Sequence, residues 1–422
     1  MQFHIITLGC KINQYESQAI AEALQGNGLE LVDRPELARE IIINSCAVTS
    51  RAVRDLKKIC RQTGRINPHA RISITGCAAQ VLEPELSALP EVHRVIPQKH
   101  KSLLLNGLNP SEVTENIPEY SISDYFRSRA VVKVQDGCTH KCSYCIVPLT
   151  RGKSKSRSPE VILDEIIRLL NRGFSEITLG GINLRLFGRD LSPKMDFWDL
   201  VNFLQKKLLI SPRQKFRIRL SSLEPSELNQ KALATLAGSE MLCPHLHISL
   251  QSGSRAVLEK MNRGHYDPWN LINFSGKLKA EWPLYSMGAD ILAGFPGETD
   301  RDFEQTLELV HNLPLSYAHV FPYSPRPGTP AAGFPDQVAE KRKKSRTKRI
   351  NNLIQVKKKD FLHRLTLERK LDMVMETQTR GMSEYYVEGL LEKDFFLKPR
   401  QMLEVKPLRM QDGKLIVVPV DR

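Results

Sequence analysis

The chain has 422 residues, of which 41% are hydrophobic, and its 61 Lys and Arg against 47 Asp and Glu give a net charge of +14. This length allows two to four domains with a large buried core, and no apolar run approaches the roughly 18 residues that cross a bilayer. Residues 1–6 lack the basic and apolar segments of a signal peptide. We therefore expect no membrane role and a reducing cytoplasm, where eight cysteines indicate metal ligands or buried thiols rather than disulfides.

Three apolar segments near the start of the chain each end in a cysteine. The predicted strands and the helices that follow them are 5–8, 14–26, 41–44, 50–63, 71–75 and 79–89. The strand segments are β-branched and almost continuously apolar, which is typical of buried parallel strands. In a βαβαβα order the strand ends meet at one edge of the sheet, where such sheets bind ligands. We therefore predict that Cys10, Cys46 and Cys77 form a three-thiolate site with an open metal position.

Three more cysteines, Cys138, Cys142 and Cys145, lie within eight residues of one another. Three thiolates at this spacing can hold three corners of an iron–sulfur cluster, which leaves one iron open, whereas a cluster that only carries electrons normally has four cysteines. The alternative is a zinc knuckle with a distant fourth ligand. The remaining cysteines, Cys60 and Cys243, are expected to be buried, inert thiols.

The spacing C-x3-C-x2-C resembles the signature of radical S-adenosylmethionine (SAM) enzymes. In that family the open iron binds the amino and carboxylate groups of SAM, which is then reduced to methionine and a 5′-deoxyadenosyl radical. Tyr144 matches the aromatic residue that precedes the last cysteine of the family signature. The resemblance therefore implies that Tyr144 lies near the adenine of SAM.

Strands and helices alternate from residue 130 onward. The predicted strands are 130–135, 176–180, 215–221, 245–250, 286–293 and 317–322. The predicted helices between them are 159–172, 196–208, 226–237, 254–261 with 268–281, and 300–312. Six such units predict an α/β fold, with a parallel sheet curved into a partial TIM barrel.

Most of these strands end in glycine or polar residues, which would lie at the carboxyl-terminal face of the barrel, where barrel enzymes have their active sites. Together with the cysteines these ends look like the walls of a SAM pocket. Its predicted members are Gly181, Asn183, Ser222, Glu224 and Gln251. The alternative is that the polar side chains cap strands and make turns. His245 and His247 share one strand face and are interpreted as core or pocket-lining residues.

The tail begins with a strongly basic stretch. Residues 341–370 contain 13 Lys and Arg and 2 Asp and Glu, and a basic helix or helix pair is predicted over 340–370. This indicates a phosphate-binding face, or otherwise a solvated helix. Short β-type runs follow at 371–377, 384–390, 395–398, 402–406 and 415–420. They predict a small β-barrel of a kind often used for RNA, or otherwise an inert cap.

In this order the elements resemble the methylthiotransferase family over almost the whole chain. That family joins an N-terminal cluster domain, a radical SAM core and a TRAM domain, which implies domains at 1–110, 124–355 and 356–422. Residues 7–17 (TLGCKINQYES), 243–247 (CPHLH) and 319–330 (HVFPYSPRPGTP) are similar to the branch that acts on N6-threonylcarbamoyladenosine in tRNA. The isopentenyladenosine branch typically has Tyr-Gly-Cys-Gln-Met-Asn at the first cysteine, and the ribosomal-protein branch has Gly-Cys-Pro-Lys-Asn.

The resemblance implies an enzyme that converts this nucleoside, next to the anticodon, into its 2-methylthio derivative. It implies two [4Fe-4S] clusters on the two cysteine triplets, SAM, the anticodon stem-loop of tRNA as partner and an electron donor. Because residues 371–422 are slightly acidic, with 8 basic and 9 acidic side chains, the basic helix is expected to make most phosphate contacts. The predicted RNA-binding residues are Lys341, Arg342, Lys343, Lys344, Arg346 and Lys348.

Two alternatives stay open. The same fold could modify isopentenyladenosine or a ribosomal protein side chain, or the chain could be a non-catalytic iron–sulfur RNA-binding protein. The sequence predicts no catalytic residue beyond the cluster ligands, and no oligomeric state.

Overall fold

A computed structural model describes residues 1–108, 120–208, 215–393, 395 and 397–420. The chain forms two compact units, and neither is continuous in sequence. Unit 1 comprises Met1–Phe126, Asp136–Ser154 and Ser324–Ala332, and unit 2 comprises Arg127–Gln135, Lys155–Tyr323 and Gly333–Arg422. Both cysteine triplets therefore belong to unit 1.

Unit 1 is built on a five-stranded parallel sheet with the strand order β2-β1-β3-β4-β5. The strands are β1 (Gln2–Thr7), β2 (Glu30–Leu31), β3 (Glu40–Ser45), β4 (Arg71–Gly76) and β5 (Val92–Val95). The helices are α1 (Lys11–Gly26), α2 (Ser50–Ile66), α3 (Cys77–Val81), α4 (Glu83–Ser87) and α5 (Ser102–Leu105). The predicted βαβαβα order is confirmed, and the short edge strands β2 and β5 are additions that the sequence pattern does not predict.

The centre of this sheet follows directly from its sequence. All six residues of β3 are buried, because the strand has neighbours on both sides and its isoleucines pack on both faces. Helix α2 begins where Thr49 accepts a hydrogen bond from the N–H of Ala52 at 3.1 Å, as an N-cap threonine does. Strands β1, β3 and β4 are adjacent and parallel, so their carboxyl ends lie side by side.

Unit 2 contains two four-stranded sheets, β7-β6-β8-β9 and β10-β11-β12-β13. Their strands are β6 (Ala130–Asp136), β7 (Lys155–Ser156), β8 (Glu176–Gly181), β9 (Arg217–Leu220), β10 (Ser222–Leu223), β11 (His245–Gln251), β12 (Ser286–Ala293) and β13 (Leu315–Pro322). Helix α6 (Val147–Arg151) lies in unit 1. The helices between the strands of unit 2 are α7 (Pro159–Asn171), α8 (Phe197–Leu208), α9 (Gln230–Ala237), α10 (Arg255–Lys260), α11 (Asn270–Glu281) and α12 (Asp300–Asn312). A parallel bridge between Ile218 and Leu242 continues the pairing beyond β9. The predicted partial barrel of six strand–helix units is confirmed.

The tail of unit 2 consists of one long helix and a closed barrel. Helix α13 (Glu340–Thr366) is a single helix that crosses the predicted domain boundary at 355, so the domain limits stay a prediction. The barrel has the order β14-β15-β16-β18-β17. Its strands are β14 (Leu371–Met375), β15 (Arg380–Ser383), β16 (Glu388–Leu391), β17 (Met402–Gln411) and β18 (Lys414–Pro419). The predicted small β-barrel is thus confirmed.

Two of the strands predicted for this barrel need correction. The strand predicted at 384–390 is wrong over 384–387, where Tyr386 has a left-handed backbone with φ 60° and the N–H of Ser383 donates to Val387 O at 2.9 Å, which makes a turn. Its residues 388–390 do lie in a strand, β16. For the strand at 395–398, residue 396 lies outside the described residues, and 395, 397 and 398 are not in a strand. Among the helices of the described residues, none combines the length and apolar character needed to cross a membrane.

Candidate active site

The first cysteine triplet lies at the carboxyl edge of the sheet of unit 1. Cys10 precedes α1, Cys46 directly follows β3, and Cys77 begins α3. A Cβ atom built on Gly9 would lie 2.7 Å from Cys46 Cβ and 3.2 Å from Cys46 Sγ, so only glycine lets the first strand end approach the second so closely. Burial raises the pKa of both Cys10 and Cys46, and Cys77 adds to the rise in each case, as expected for thiols that lie near one another.

The buried side chain of Asn13 connects the strand ends that carry this triplet. Its Nδ2 donates to Leu8 O at 2.8 Å and to Ser45 O at 2.9 Å, and the Sγ of Cys10 lies 3.8 Å from its Oδ1. Asn13 is 1% exposed. The amide therefore fixes the ends of β1 and β3 against each other, next to two of the three thiols.

The second triplet lies in a loop of unit 1 between β6 and α6. The N–H of Cys138 donates to Gly152 O at 3.0 Å, and the N–H of Cys145 donates to Cys142 O at 3.1 Å. Gly137 has a φ of +67°, and a Cβ atom there would collide with the carbonyl oxygen of Lys153. The glycine before the first cysteine thus lets the loop fold back on its own end.

A buried network of four charges links the surroundings of the two triplets. Arg151 Nη1 contacts Glu16 Oε1 at 2.8 Å and Asp136 Oδ1 at 2.9 Å, and its Nη2 donates to Asn13 Oδ1 at 2.6 Å. Lys101 Nζ binds Glu16 Oε2 at 2.6 Å. Burial opposes the charge of Arg151, but Asp136 and Glu16 together hold its pKa well above the usual range. The network ties α1, which follows the first triplet, to the loop that precedes the second.

The segment Ser324–Ala332 also contacts both triplet regions of unit 1. Its Ser324 Oγ lies 3.0 Å from Ser50 Oγ at the start of α2. At its other end the N–H of Ala331 donates to the carbonyl oxygen of Ser143 at 2.8 Å, inside the second triplet. Helix α3, which begins with Cys77, packs on α6. The two triplets therefore lie in one packed region of unit 1.

The environment of the thiols suits a metal centre more than free thiolate chemistry. Burial raises the pKa of the Cys46 thiol to about 11. The protein around Cys10 desolvates its thiol and raises its pKa, although the residue itself is exposed and Arg151 opposes the shift. Metal binding must then displace protons. Soft thiolate donors select zinc, copper(I) and iron–sulfur clusters, and the residues of each triplet fit a cluster with one open position.

The other two cysteines match the inert thiols that the sequence predicts. Cys60 and Cys243 are buried, and burial raises the pKa of each thiol to about 11. Cys60 packs in the hydrophobic core of unit 1 among Leu56, Ile72 and their neighbours. A thiol of this kind is unreactive at neutral pH.

The residues predicted to bind SAM in unit 2 lie at carboxyl ends of parallel strands. Gly181 ends β8, Gln251 ends β11 with a left-handed φ of 62°, Ser222 lies two residues beyond the end of β9, and Glu224 directly follows β10. The N–H of Asn183 donates to Gln135 Oε1 at 2.9 Å, which holds the turn after β8. Tyr144, by contrast, is a half-buried residue of unit 1.

Glu224 has a partner that the sequence does not predict. Arg263 donates hydrogen bonds to both carboxylate oxygens of Glu224, from Nη1 to Oε1 at 3.0 Å and from Nη2 to Oε2 at 2.8 Å. Burial would raise the pKa of Glu224, but His265 and Arg263 lower it below its usual value. The carboxylate is therefore already neutralised inside the fold, and its part in holding SAM stays a prediction.

The predicted RNA-binding residues divide into two groups along α13. Lys343 pairs with Glu340 at 2.7 Å, and Arg346 pairs with Glu298 and Asp300 at 2.6 Å each. Both are buried, because they face the core of the unit, and a phosphate could reach them only by breaking these pairs. The exposed members are Lys341, Arg342, Lys344 and Lys348. We therefore restrict the predicted RNA contact to these four.

In unit 2, His245 and His247 belong to a hydrogen-bonded polar cluster that the sequence does not predict. Tyr317 Oη lies 2.8 Å from His245 Nε2 and 2.9 Å from His247 Nδ1, and His247 Nε2 lies 3.1 Å from Asp290 Oδ1. One ligand atom each of His247, Asp290 and His319 fall within 4.8 Å of one another. The interpretation of the two histidines as pocket-lining residues stays a prediction, and the period-two spacing on β11 was its only sequence signal.

Comparison with known proteins identifies the family. Residues 132–310 match the radical SAM superfamily and residues 2–97 match UPF0004, an uncharacterized protein family. A threonylcarbamoyladenosine tRNA methylthiotransferase (MtaB) of Rickettsia prowazekii is 34% identical over 97% of this chain and 95% of its own length. The MtaB of Thermotoga maritima is 36% identical, with coverage of 91% and 89%. The chain belongs to the radical SAM methylthiotransferase family. A tRNA-2-methylthio-N(6)-dimethylallyladenosine synthase of Clostridium botulinum is 35% identical, with coverage of 84% and 81%.

Membership of the radical SAM methylthiotransferases makes this chain a sulfur-transferring enzyme that uses SAM and a [4Fe-4S] cluster. Among solved structures, the radical SAM methyltransferase TsrM from Kitasatospora setae, with cobalamin and [4Fe-4S] cluster bound, aligns with a TM-score of 0.54. That alignment covers 78% of this chain and 77% of TsrM at 13% identity, and it shows a shared fold.

Proposed function

We propose that this radical SAM methylthiotransferase places a methylthio group on C2 of N6-threonylcarbamoyladenosine next to the anticodon of tRNA. The observation that carries the proposal is that both cysteine triplets occur in unit 1, where Arg151 bonds to Asn13 beside the first and to Asp136 beside the second. A reaction that needs two reactive centres requires this kind of shared site. The proposed compartment is the cytoplasm, with tRNA and an electron donor as partners.

The chemistry explains why two triplets are needed. The C–H bond at C2 of adenine is aromatic and unactivated, and no side-chain base removes its proton at neutral pH. When bound, a [4Fe-4S] cluster on Cys138, Cys142 and Cys145 would supply the electron that splits SAM, and a second cluster on Cys10, Cys46 and Cys77 would supply the sulfur. The thiolates bind these groups, and Asn13 and Arg151 keep the two binding regions in fixed positions within unit 1.

We further propose that the strand ends of unit 2 bind SAM. Gly181, Asn183, Ser222 and Gln251 offer backbone and side-chain hydrogen bonds, and Glu224 offers a carboxylate that is paired with Arg263. The expectation that Tyr144 of unit 1 contacts the adenine of SAM stays a prediction from the family resemblance. Of these residues Ser222 is exposed, and Gly181, Asn183 and Gln251 are half-buried.

The RNA contact is proposed for the exposed side of α13 with the barrel β14–β18. Lys341, Arg342, Lys344 and Lys348 can neutralise phosphates of the anticodon stem-loop. The target base would leave its stack to reach the reactive centres, which costs less in a loop than in a duplex.

Nucleoside mass spectrometry tests the substrate. A strain that lacks the modification and receives this gene should regain 2-methylthio-N6-threonylcarbamoyladenosine, while the Cys46→Ala variant should leave the unthiolated nucleoside. A second candidate substrate, N6-dimethylallyladenosine, is favoured by the 35% identity to the synthase of that branch. Restoration of its methylthio derivative alone would transfer the chain to that branch.

A further inference from the structure

One buried arginine of unit 1 has no acidic partner among the described residues. Arg326 lies in the segment Ser324–Ala332 and is 6% exposed. Its Nη1 donates to Ser50 Oγ at 3.0 Å. Within the part of the chain that the structure describes, its Nε has no hydrogen-bond partner and no carboxylate forms an ion pair with it.

A tight turn fixes Arg326 in this position. The N–H of Thr329 donates to Arg326 O at 3.1 Å, Pro327 occupies the second position, and Gly328 has a φ of +80° at the third. Proline followed by a left-handed glycine is the sequence signature of a type II turn. Thr329 Oγ1 adds a second bond to the same carbonyl oxygen at 2.7 Å. The guanidinium is therefore held in place before any ligand binds.

Burying such a charge without a counter-ion is unfavourable, because the guanidinium loses hydration and gains no opposite charge in return. A guanidinium cannot escape this cost by losing its proton. Elsewhere in unit 1 the fold provides acids both for the buried Arg151 and for the half-buried Arg94. Arg151 has Glu16 and Asp136, and Arg94 has Glu40 at 2.9 Å. Ser50, which accepts the hydrogen bond from Arg326, begins α2 four residues after Cys46, so the guanidinium lies at the edge of the sheet where the first triplet is assembled.

We propose that Arg326 is a positioning residue that supplies the positive counter-charge for an iron–sulfur cluster on Cys10, Cys46 and Cys77. The inference rests on the proposed function, since it requires the second cluster. Three thiolates on a doubly positive cluster core leave a net negative charge, and each added electron or anionic sulfur increases it. A fixed cation at this edge of the sheet stabilises the more negative states of the cluster and so raises its reduction potential.

The test is a redox titration of the full chain in which Cys138, Cys142 and Cys145 are changed to alanine, so that only the first triplet can hold a cluster. In this background Arg326→Gln should retain iron and shift the midpoint potential, followed by electron paramagnetic resonance, to a more negative value. Arg326→Lys should keep most of the original potential because it keeps the charge. The matched control is Arg51→Gln, whose side chain is 84% exposed beside Ser50, and it should leave the potential unchanged.

The outcomes separate the inference from the function on which it rests. If Arg326→Gln retains its full iron content and its midpoint potential is unchanged, the proposed role of Arg326 is overturned and the proposed function stays intact. A higher Michaelis constant for tRNA would not rescue that role, because the role concerns the potential of the cluster. Loss of iron in both Arg326→Gln and Arg326→Lys would show a packing role and would also overturn it. A background protein that binds no cluster would remove the second cluster, and with it both proposals.

Discussion

The two cysteine triplets of unit 1 are assembled in different ways. Cys138, Cys142 and Cys145 lie in one short loop, and the turn from Cys142 to Cys145 and the fold-back at Gly137 set their spacing. Cys10, Cys46 and Cys77 come from the ends of three strands and become neighbours only because β1, β3 and β4 are adjacent in the sheet. The comparison teaches that one triplet depends on local backbone geometry and the other on the integrity of the whole sheet.

The largest expected effect separates the roles of the two triplets. Cys46→Ala should abolish the methylthiolated product while leaving the formation of 5′-deoxyadenosine from SAM largely intact. Cys142→Ala should abolish both, because it removes a ligand of the centre that splits SAM. Chromatography of the reductant-treated enzyme with SAM and tRNA measures both products. Cys60→Ala is the control, since this buried thiol belongs to the core, and product from Cys46→Ala would refute the assignment.

Arg151→Leu should break the connection between the two triplet regions. The variant leaves Glu16 and Asp136 buried with Lys101 as the one remaining cation of the network. Removing one partner of a buried ion pair costs about 3–5 kcal/mol. Hydrogen exchange should therefore speed up in both α1 and residues 136–154.

The control for Arg151 is Arg51→Leu. Arg51 and Asp55 form an exposed pair at 3.6 Å, and such pairs contribute about 0–1 kcal/mol. Its exchange should match that of the parent protein. Unchanged protection of α1 in Arg151→Leu would mean that the sheet and the loop hold their positions independently.

Asn13→Ala should affect the first triplet alone. It leaves Leu8 O and Ser45 O without their buried donor, at a cost of about 1–3 kcal/mol. We expect the first triplet to lose its iron and the second to retain it. Iron analysis of Asn13→Ala, alone and in the Cys142→Ala background, which removes a ligand of the second triplet, distinguishes the two. Asn27→Ala, an exposed amide that also donates to two carbonyl oxygens, should change neither. Equal iron loss from both triplets would show that Asn13 serves unit 1 as a whole.

Substitutions on the exposed side of α13 should have the smallest effect on the cysteine triplets, because they should change tRNA binding and leave SAM cleavage unaltered. Replacing Lys341, Arg342, Lys344 and Lys348 by glutamine should weaken tRNA binding and flatten its salt dependence, by roughly 0.7–0.9 in the log–log slope for each phosphate that the helix no longer neutralises. Cleavage of SAM without tRNA should not change. Lys277→Gln with Lys279→Gln, on the exposed face of α11, is the matched control, and an identical slope in both variants would remove α13 from the RNA interface.

Local patterns predicted much of this protein because they act over short distances. The isoleucines of residues 41–43 indicated a buried strand, and the small residue and cysteine after each of the three strands indicated its end. The prediction failed at 384–387, where a β-favouring run instead turns at Tyr386. It also could not tell that Lys343 and Arg346 face inward, because a helix so rich in lysine and arginine has no clear apolar stripe to mark its buried side.

The sequence by itself determined the α/β fold, the two sets of cysteines and the basic helix, since strand length, cysteine spacing and charge density are written in consecutive residues. Tertiary structure alone decided which buried charges meet. Arg151 bonds to Glu16 and Asn13 across more than a hundred positions of the chain, and Arg326 reaches Ser50 from even farther away. Such pairings depend on how separate elements pack, and a side chain's own sequence neighbours carry no record of the partner that packing brings to it.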